Sequence, residues 1–165
     1  MEYRLAKMSD IDDVCALIKA AIVQMEADRI YQWDDIYPVK EDFKNDIDNE
    51  SLYLAIDGAN LAAIYVISGE SDEAYKTAKW QYNDETAYIL HRFCVSSDYQ
   101  NKGIGKEVLA HIEVQIREMG YETVRLDVFT ENPYAQKLYR KSGYQVRGYA
   151  DWRKGRFDLM EKKLY

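Results

Sequence analysis

Val14, Leu17, Ile18, Ala21, Ile22 and Met25 recur at the three- and four-residue interval of a helix with one buried face. Ser9, with Asp12 three residues later, predicts the N-cap, and the helix is expected to end near Ala27. Tyr3 to Ala6 reads as a strand ahead of it. Pro38 precedes a second helical pattern with Phe43 and Ile47 on one face, followed by a strand from Ser51 to Ile56. Asp57-Gly58 is a hairpin signal, and Leu61 to Ile67 beyond it is rich in β-formers. Gly69 to Thr86 is polar and reads as a long connection holding a short helix. Ala87 to Val95 is an apolar and aromatic strand. A helix from near Gly103 carries the stripe Ile104, Val108, Ile112, Ile116 and Met119, and Gly120 closes it. Thr123 to Phe129 is the next strand, and Pro133 to Ser142 a short helix with proline in its first turn and Gly143 beyond its end. Two last strands, Tyr144 to Ala150 and Phe157 to Leu164, flank an Arg153-Lys154-Gly155 turn. The order β α α β β β α β α β β mixes hairpins with one strand-helix-strand crossover and predicts an α+β fold, a sheet flanked by helices.

No repeat, low-complexity tract or linker breaks the chain, so residues 1–165 are expected to form a single domain. Hydrophobic residues make up 47% of it, enough for a core. Lys and Arg number 22 against 29 Asp and Glu, a formal charge of −7, which argues against a general nucleic-acid binder. The longest apolar run, Leu61 to Ile67, is too short to span a bilayer, and no signal-peptide pattern opens the sequence. Cys15 and Cys94 offer no metal spacing and read as reduced thiols. The expectation is therefore a cytoplasmic protein with no membrane, nucleic-acid or metal partner. Fifteen tyrosines against four phenylalanines are the compositional oddity.

The segment Ile89-Leu-His-Arg-Phe-Cys-Val-Ser-Ser-Asp-Tyr-Gln-Asn-Lys-Gly-Ile-Gly-Lys106 concentrates the chemistry. A buried strand leads through a loop to a helix start, with Gly103 and Gly105 where backbone must approach a ligand closely. Helix-start amides and the positive end of the dipole suit a pyrophosphate, with Lys102 and Lys106 adding charge. A loop that uses glycine only to turn is the plain alternative. A dinucleotide fingerprint fails, because Val108 stands where a third small residue is needed, although Asp127 could mimic the ribose acid. A P-loop fails because Glu107 follows Lys106.

With Gln100-Asn101-Lys102-Gly103-Ile104-Gly105, and with Asn132-Pro-Tyr-Ala135-Gln-Lys-Leu138-Tyr139-Arg-Lys-Ser-Gly143-Tyr144, the chain resembles the GNAT superfamily of N-acetyltransferases. The first block is similar to that family's acetyl-CoA motif, Gln/Arg-x-x-Gly-x-Gly/Ala. The second is similar to its Asn-x-x-Ala-x-x-Leu-Tyr-x-x-x-Gly-Phe. The resemblance implies a mixed, mostly antiparallel sheet of about seven strands, splayed at a central parallel pair and flanked by about four helices. It implies acetyl-CoA as acetyl donor, with the backbone of Phe93, Cys94 and Val95 pairing with the pantetheine arm. Gln100, Asn101, Lys102, Gly103, Ile104, Gly105 and Lys106 would cradle the pyrophosphate, and Asn132 would hydrogen-bond near the pantetheine. Lys137, Arg140 and Lys141 are candidates for the 3′-phosphate, or else a solvated helix face.

Acetyl transfer from a thioester to an amine needs two proton movements. Tyr139 matches the family tyrosine that lies near the sulfur and is assigned as general acid. For the base, the position at which some members carry Glu is Ile89 here, which leaves His91, on the same strand face, and Glu85, just ahead of the strand. In this family the region between the first two helices shapes the acceptor site. Here it holds Tyr31, Trp33, Asp34, Asp35 and Tyr37, joined by Tyr149, Asp151 and Trp152 from the late segment. Aromatic faces and carboxylates suit a cationic amine, on a small molecule or a peptide; Trp33 and Tyr37 could equally staple the first helix to the sheet. A homodimer, common in the family, is a further implication. Two other readings stay open, transfer of a longer acyl group and a CoA-binding sensor without turnover.

Overall fold

The computed structural model describes residues 1–165. Its strands are β1 (Glu2–Leu5), β2 (Leu52–Asp57), β3 (Asn60–Ser68), β4 (Ala87–Val95), β5 (Thr123–Phe129), β6 (Gln145–Trp152) and β7 (Gly155–Lys163). Its helices are α1 (Ile11–Ala27), α2 (Lys40–Asp48), α3 (Ile104–Glu118) and α4 (Pro133–Lys141). All seven strands join one sheet in the order β1-β2-β3-β4-β5-β7-β6. The pairs β1–β2, β2–β3, β5–β7 and β6–β7 are antiparallel, while β4 and β5 are parallel. This is the mixed, mostly antiparallel sheet with four helices that the motifs implied. No helix is long and apolar enough to cross a membrane. The chain divides into two compact units, residues 1–67 with 92–108, and residues 68–91 with 109–165.

In the first unit the predicted stripe of α1 is buried: Val14, Leu17, Ile18 and Ala21 pack with Trp33, Phe43 of α2, Leu52, Leu54, Ile64, Val66 and Cys94. Burying a side chain such as Phe43, 1% exposed, is worth about 1.5–3 kcal/mol. The start of α1 corrects the sequence reading. Ser9 does not cap it; a 3₁₀ turn, Met8–Asp10, comes first, and the amide of Lys7 donates to Asp10 Oδ2 at 2.7 Å. Arg4 forks onto the same carboxylate at 2.8 and 2.9 Å, and this guanidinium bond holds the Asp10 carboxyl below its ordinary pKa. The hairpin β2–β3 turns through Gly58, which at φ +62 supplies the left-handed conformation the turn needs.

In the second unit β7 pairs with β5 on one side and β6 on the other. The polar connection after β3 holds two 3₁₀ turns, Glu73–Thr77 and Asp84–Thr86, in place of one short helix. Buried Arg125 of β5 organises it. Its guanidinium donates to Asp84 Oδ1 at 2.6 Å and to the Tyr82 carbonyl at 2.7 Å, and lies 4.4 Å from the Trp80 ring centre. Glu161 of β7, 1% exposed, accepts from the Gln81 amide at 2.7 Å and from Arg147 at 2.8 Å, with Arg125 Nε at 3.7 Å. Helix α3 ends at Glu118, so Met119, expected on its apolar stripe, lies beyond the helix and is 43% exposed.

Candidate active site

The predicted strand Ala87–Val95 forms with the predicted bounds. Its parallel pairing with β5 covers only Ala87↔Thr123, Tyr88↔Val124 and Ile89↔Arg125, although both strands continue. Within β4, Arg92 adopts φ +46, a left-handed conformation that costs a non-glycine residue roughly 1–2 kcal/mol. Beyond Arg92 come Phe93, Cys94 and Val95. Cys94 is buried, and burial pushes its thiol up to about 12.

The strand leads through a 3₁₀ turn, Ser97–Tyr99, into a turn over 100–103. Asn101 at φ +63 and Gly103 at φ +75 wind this segment, and a Cβ at Gly103 would meet nothing within 4 Å. The first bond of α3 runs from the Glu107 amide to the Gly103 carbonyl at 3.1 Å, so the amides just ahead have no intrahelical acceptor. Lys102 donates to the Asp98 carbonyl at 3.2 Å, while Gln100 and Lys106 are exposed. An exposed row of amide donors at the positive end of a 15-residue helix, beside two lysines, fits a pyrophosphate.

The segment between α1 and α2 contains both buried and exposed aromatics. Trp33, 9% exposed, belongs to the core cluster with α1 and Phe43, which makes it a support of the loop. Tyr31 and Tyr37 are exposed, at 55% and 40%. Asp34 Oδ1 accepts from the amides of Ile36 and Tyr37 at 3.0 and 3.2 Å, and its own amide donates to the Tyr37 carbonyl at 3.0 Å. Its carboxylate thus shapes the loop. Sequence reasoning passed over Arg92 and Asp46. The guanidinium is forked on the Asp46 carboxylate, Nε to Oδ2 at 2.9 Å and Nη2 to Oδ1 at 2.7 Å, and donates from Nη1 to the Tyr37 hydroxyl at 2.6 Å. A 46-residue separation hides this pair from any local pattern.

In the second unit, Asn132 caps α4, its Oδ1 accepting from the Ala135 amide at 3.1 Å. Tyr139 is 8% exposed and lies edge-on to Tyr144, ring centres 5.6 Å apart. Arg140 contacts Asp158 at 3.7 Å; Lys137 and Lys141 are exposed. His91 Nε2 lies 3.0 Å from the Glu70 carbonyl and 3.1 Å from Ser68 Oγ. A carbonyl only accepts, so Nε2 carries the proton and the lone pair of the neutral ring falls on Nδ1. Glu85 is exposed in the 3₁₀ turn before β4.

Asp127 of β5 is a further carboxylate of the second unit. The buried Tyr75 hydroxyl donates to Asp127 Oδ2 at 2.7 Å. Burial, then the Asp127 charge, hold the Tyr75 phenol well above its ordinary pKa, and Tyr139 lies within its electrostatic range. The available signal was a carboxylate at an alternating position of an apolar strand, read in the sequence only as a ribose-binding possibility and then set aside.

A mixed seven-stranded sheet with one parallel pair, and a glycine turn at the helix start that follows the first strand of that pair, is the arrangement of the GNAT acetyltransferase fold. A family model described as the acetyltransferase (GNAT) family matches residues 19–144, and the chain belongs to that family. The spermine/spermidine N(1)-acetyltransferase of Bacillus subtilis (strain 168) is 32% identical over 93 residues, 54% of this chain and 55% of that protein. The chain spans about a third to just over half of the first curated relatives it matches. A GNAT-family acetyltransferase from Streptococcus agalactiae 2603 superposes with TM-score 0.78 at 26% identity, over 98% of this chain and 94% of that one. The fold is also that of the PaiA N-acetyltransferase of Thermoplasma acidophilum, solved with coenzyme A: TM-score 0.72, 20% identity and 98% of both chains.

Proposed function

We propose that the protein is an acetyl-CoA-dependent N-acetyltransferase that acts on a primary amine, with Tyr139 as its general acid. The observation that carries this reading is the turn Gln100–Gly103, which follows β4 and the 3₁₀ turn Ser97–Tyr99 and leaves the first amides of α3 without intrahelical acceptors, a donor set suited to an anion. Acetyl-CoA supplies an acetyl group activated as a thioester. Residues 100 to 106 would bind its pyrophosphate, the backbone of Phe93, Cys94 and Val95 would pair with its pantetheine arm, and Asn132 would hydrogen-bond near the pantetheine. Lys137, Arg140 and Lys141 would lie toward the 3′-phosphate. The Tyr139 hydroxyl would give its proton to the sulfur as the C–S bond breaks, and the amine nitrogen would pass a proton to a base as the C–N bond forms.

Two proton acceptors fit the second unit. His91 would act through Nδ1, since Nε2 points at the Glu70 carbonyl. Asp127, whose carboxylate accepts from the Tyr75 hydroxyl, is a second candidate, tied to a phenol that itself feels Tyr139; Glu85 is exposed. The acceptor we favour is a cationic amine, on a small molecule or a peptide. Its support is the net charge of −7, the exposed Tyr31 and Tyr37 beside the Asp34 turn, and the likeness to a spermine/spermidine enzyme.

The test is thiol release from acetyl-CoA against a panel of polyamines, aminoglycosides, amino-acid derivatives and lysine peptides. Turnover with at least one amine is expected, falling as salt rises. Binding of acetyl-CoA without thiol release from any amine would favour a sensor, and a preference for longer acyl chains would change the donor. Tyr139→Phe should lower turnover more than acetyl-CoA affinity; unchanged turnover removes its assignment. His91→Gln should lose the acidic limb of the kcat/KM profile if His91 is the base, while retention of that limb excludes His91 as the titrating base.

A further inference from the structure

We propose that Arg92 is a positioning residue that couples the acceptor loop, residues 28–39, to the strand that pairs with the cofactor; this rests on the acetyl-CoA reading above. Arg92 lies one residue before Phe93, the first whose backbone is assigned to the pantetheine arm, and is itself left-handed at φ +46. That conformation redirects the peptide groups that follow it. A long arginine has no intrinsic reason to adopt it, so surrounding contacts must hold it there.

Those contacts are concentrated in one head group. Two nitrogens grip Asp46 of α2, itself 7% exposed, in a planar fork that lysine cannot reproduce. The third donates to the Tyr37 hydroxyl at 2.6 Å, and the guanidinium carbon stands 5.8 Å from the Tyr37 ring centre. Tyr37 closes the Asp34 turn of the exposed loop. The loop is anchored by buried Ile30, Trp33 and Pro38, and its exposed Tyr37 is tied to the strand through this phenol. A shift of the Arg92 backbone on cofactor binding is therefore felt at Tyr37 through a short, charge-assisted bond. Reciprocally, an acceptor that orders the loop steadies the cofactor strand. Asp46 sets the strand and Tyr37 transmits to the loop, which predicts different phenotypes for two residues on one guanidinium.

The experiment is amide hydrogen exchange over residues 28–39 in the full chain, with and without saturating acetyl-CoA, together with acetyl-CoA titration calorimetry. In the unmodified protein acetyl-CoA should slow exchange in the loop by about fivefold or more. Tyr37→Phe should bind acetyl-CoA within about twofold of the parent yet lose most of that protection. Asp46→Asn should weaken acetyl-CoA about tenfold, and Arg92→Lys should show both defects. An Asp46→Asn or Arg92→Lys chain that fails to fold leaves Tyr37→Phe to decide. Binding without loop protection, or full protection in Tyr37→Phe, overturns the coupling and leaves the functional reading intact. A folded parent that does not bind acetyl-CoA overturns the cofactor reading and the coupling with it.

Discussion

Alkaline pH should destabilise this protein through Cys94. The thiol is buried in β4, and burial holds it at about 12 against an ordinary 9.0. Because the folded pKa is raised, the unfolded thiol releases its proton first, and above pH 9 the unfolded state binds fewer protons than the folded one. Stability must therefore fall as pH rises toward the folded pKa. Between about pH 8 and about pH 10 the unfolded thiol passes from roughly one-tenth to nine-tenths ionised while the folded thiol stays protonated, a loss of about 1.4 kcal/mol. Tyr75 and Tyr144, whose phenols are raised mainly by burial, add to the loss, so the thiol must be isolated by comparison. Cys94→Ala should be less stable at neutral pH by about 1–2 kcal/mol for the atom removed. It should also lose about 1.4 kcal/mol less than the parent between those two pH values. Urea unfolding of both proteins at each pH measures this. Equal losses in the two proteins would refute the assignment.

The buried ion cluster gives a second expectation: Glu161→Met should cost about 3–5 kcal/mol, because Arg125 and Arg147 keep their charges without the carboxylate. Adding Arg147→Met should recover part of that in a double-mutant cycle, and additive losses would count against the pairing. Gly148→Ala should cost about 1–3 kcal/mol in chemical denaturation, since its Cβ would sit 2.9 Å from the Ala78 backbone. Asp10, depressed by Arg4, contributes stability above its unfolded pKa that is lost as pH falls through the lower folded value. Asp10→Asn should therefore flatten the acid limb of a thermal-melting profile.

The fold was legible where one face of an element meets the core. The stripe of α1 and the apolar runs of β4 and β5 show this, because burial imposes both the stripe and the runs. The connection after β3 was not legible. Its shape depends on Arg125, about 40 residues downstream, which gathers Trp80, the Tyr82 carbonyl and Asp84 around one head group. The same reason separates the parts of the site. The glycine turn and Tyr139 sit in local motifs, whereas Arg92 with Asp46 and Tyr75 with Asp127 meet only after folding. Ser9 shows the opposite failure. It fits a cap pattern, but the Asp10 carboxylate, already gripped by Arg4, takes the Lys7 amide and moves the helix start.

The placement of β7 between β5 and β6 constrains the order of assembly. Strand β6 precedes β7 in the chain yet joins the sheet only through it. During synthesis β5 and α4 therefore emerge with an open hydrogen-bonding edge on β5, and β6 emerges without its partner strand. Neither can be satisfied until Gly155–Lys163 has left the ribosome and slid into the gap. A nascent chain stalled before β7 should accordingly bind chaperones and be cut readily by protease, and release of that one strand should end both behaviours.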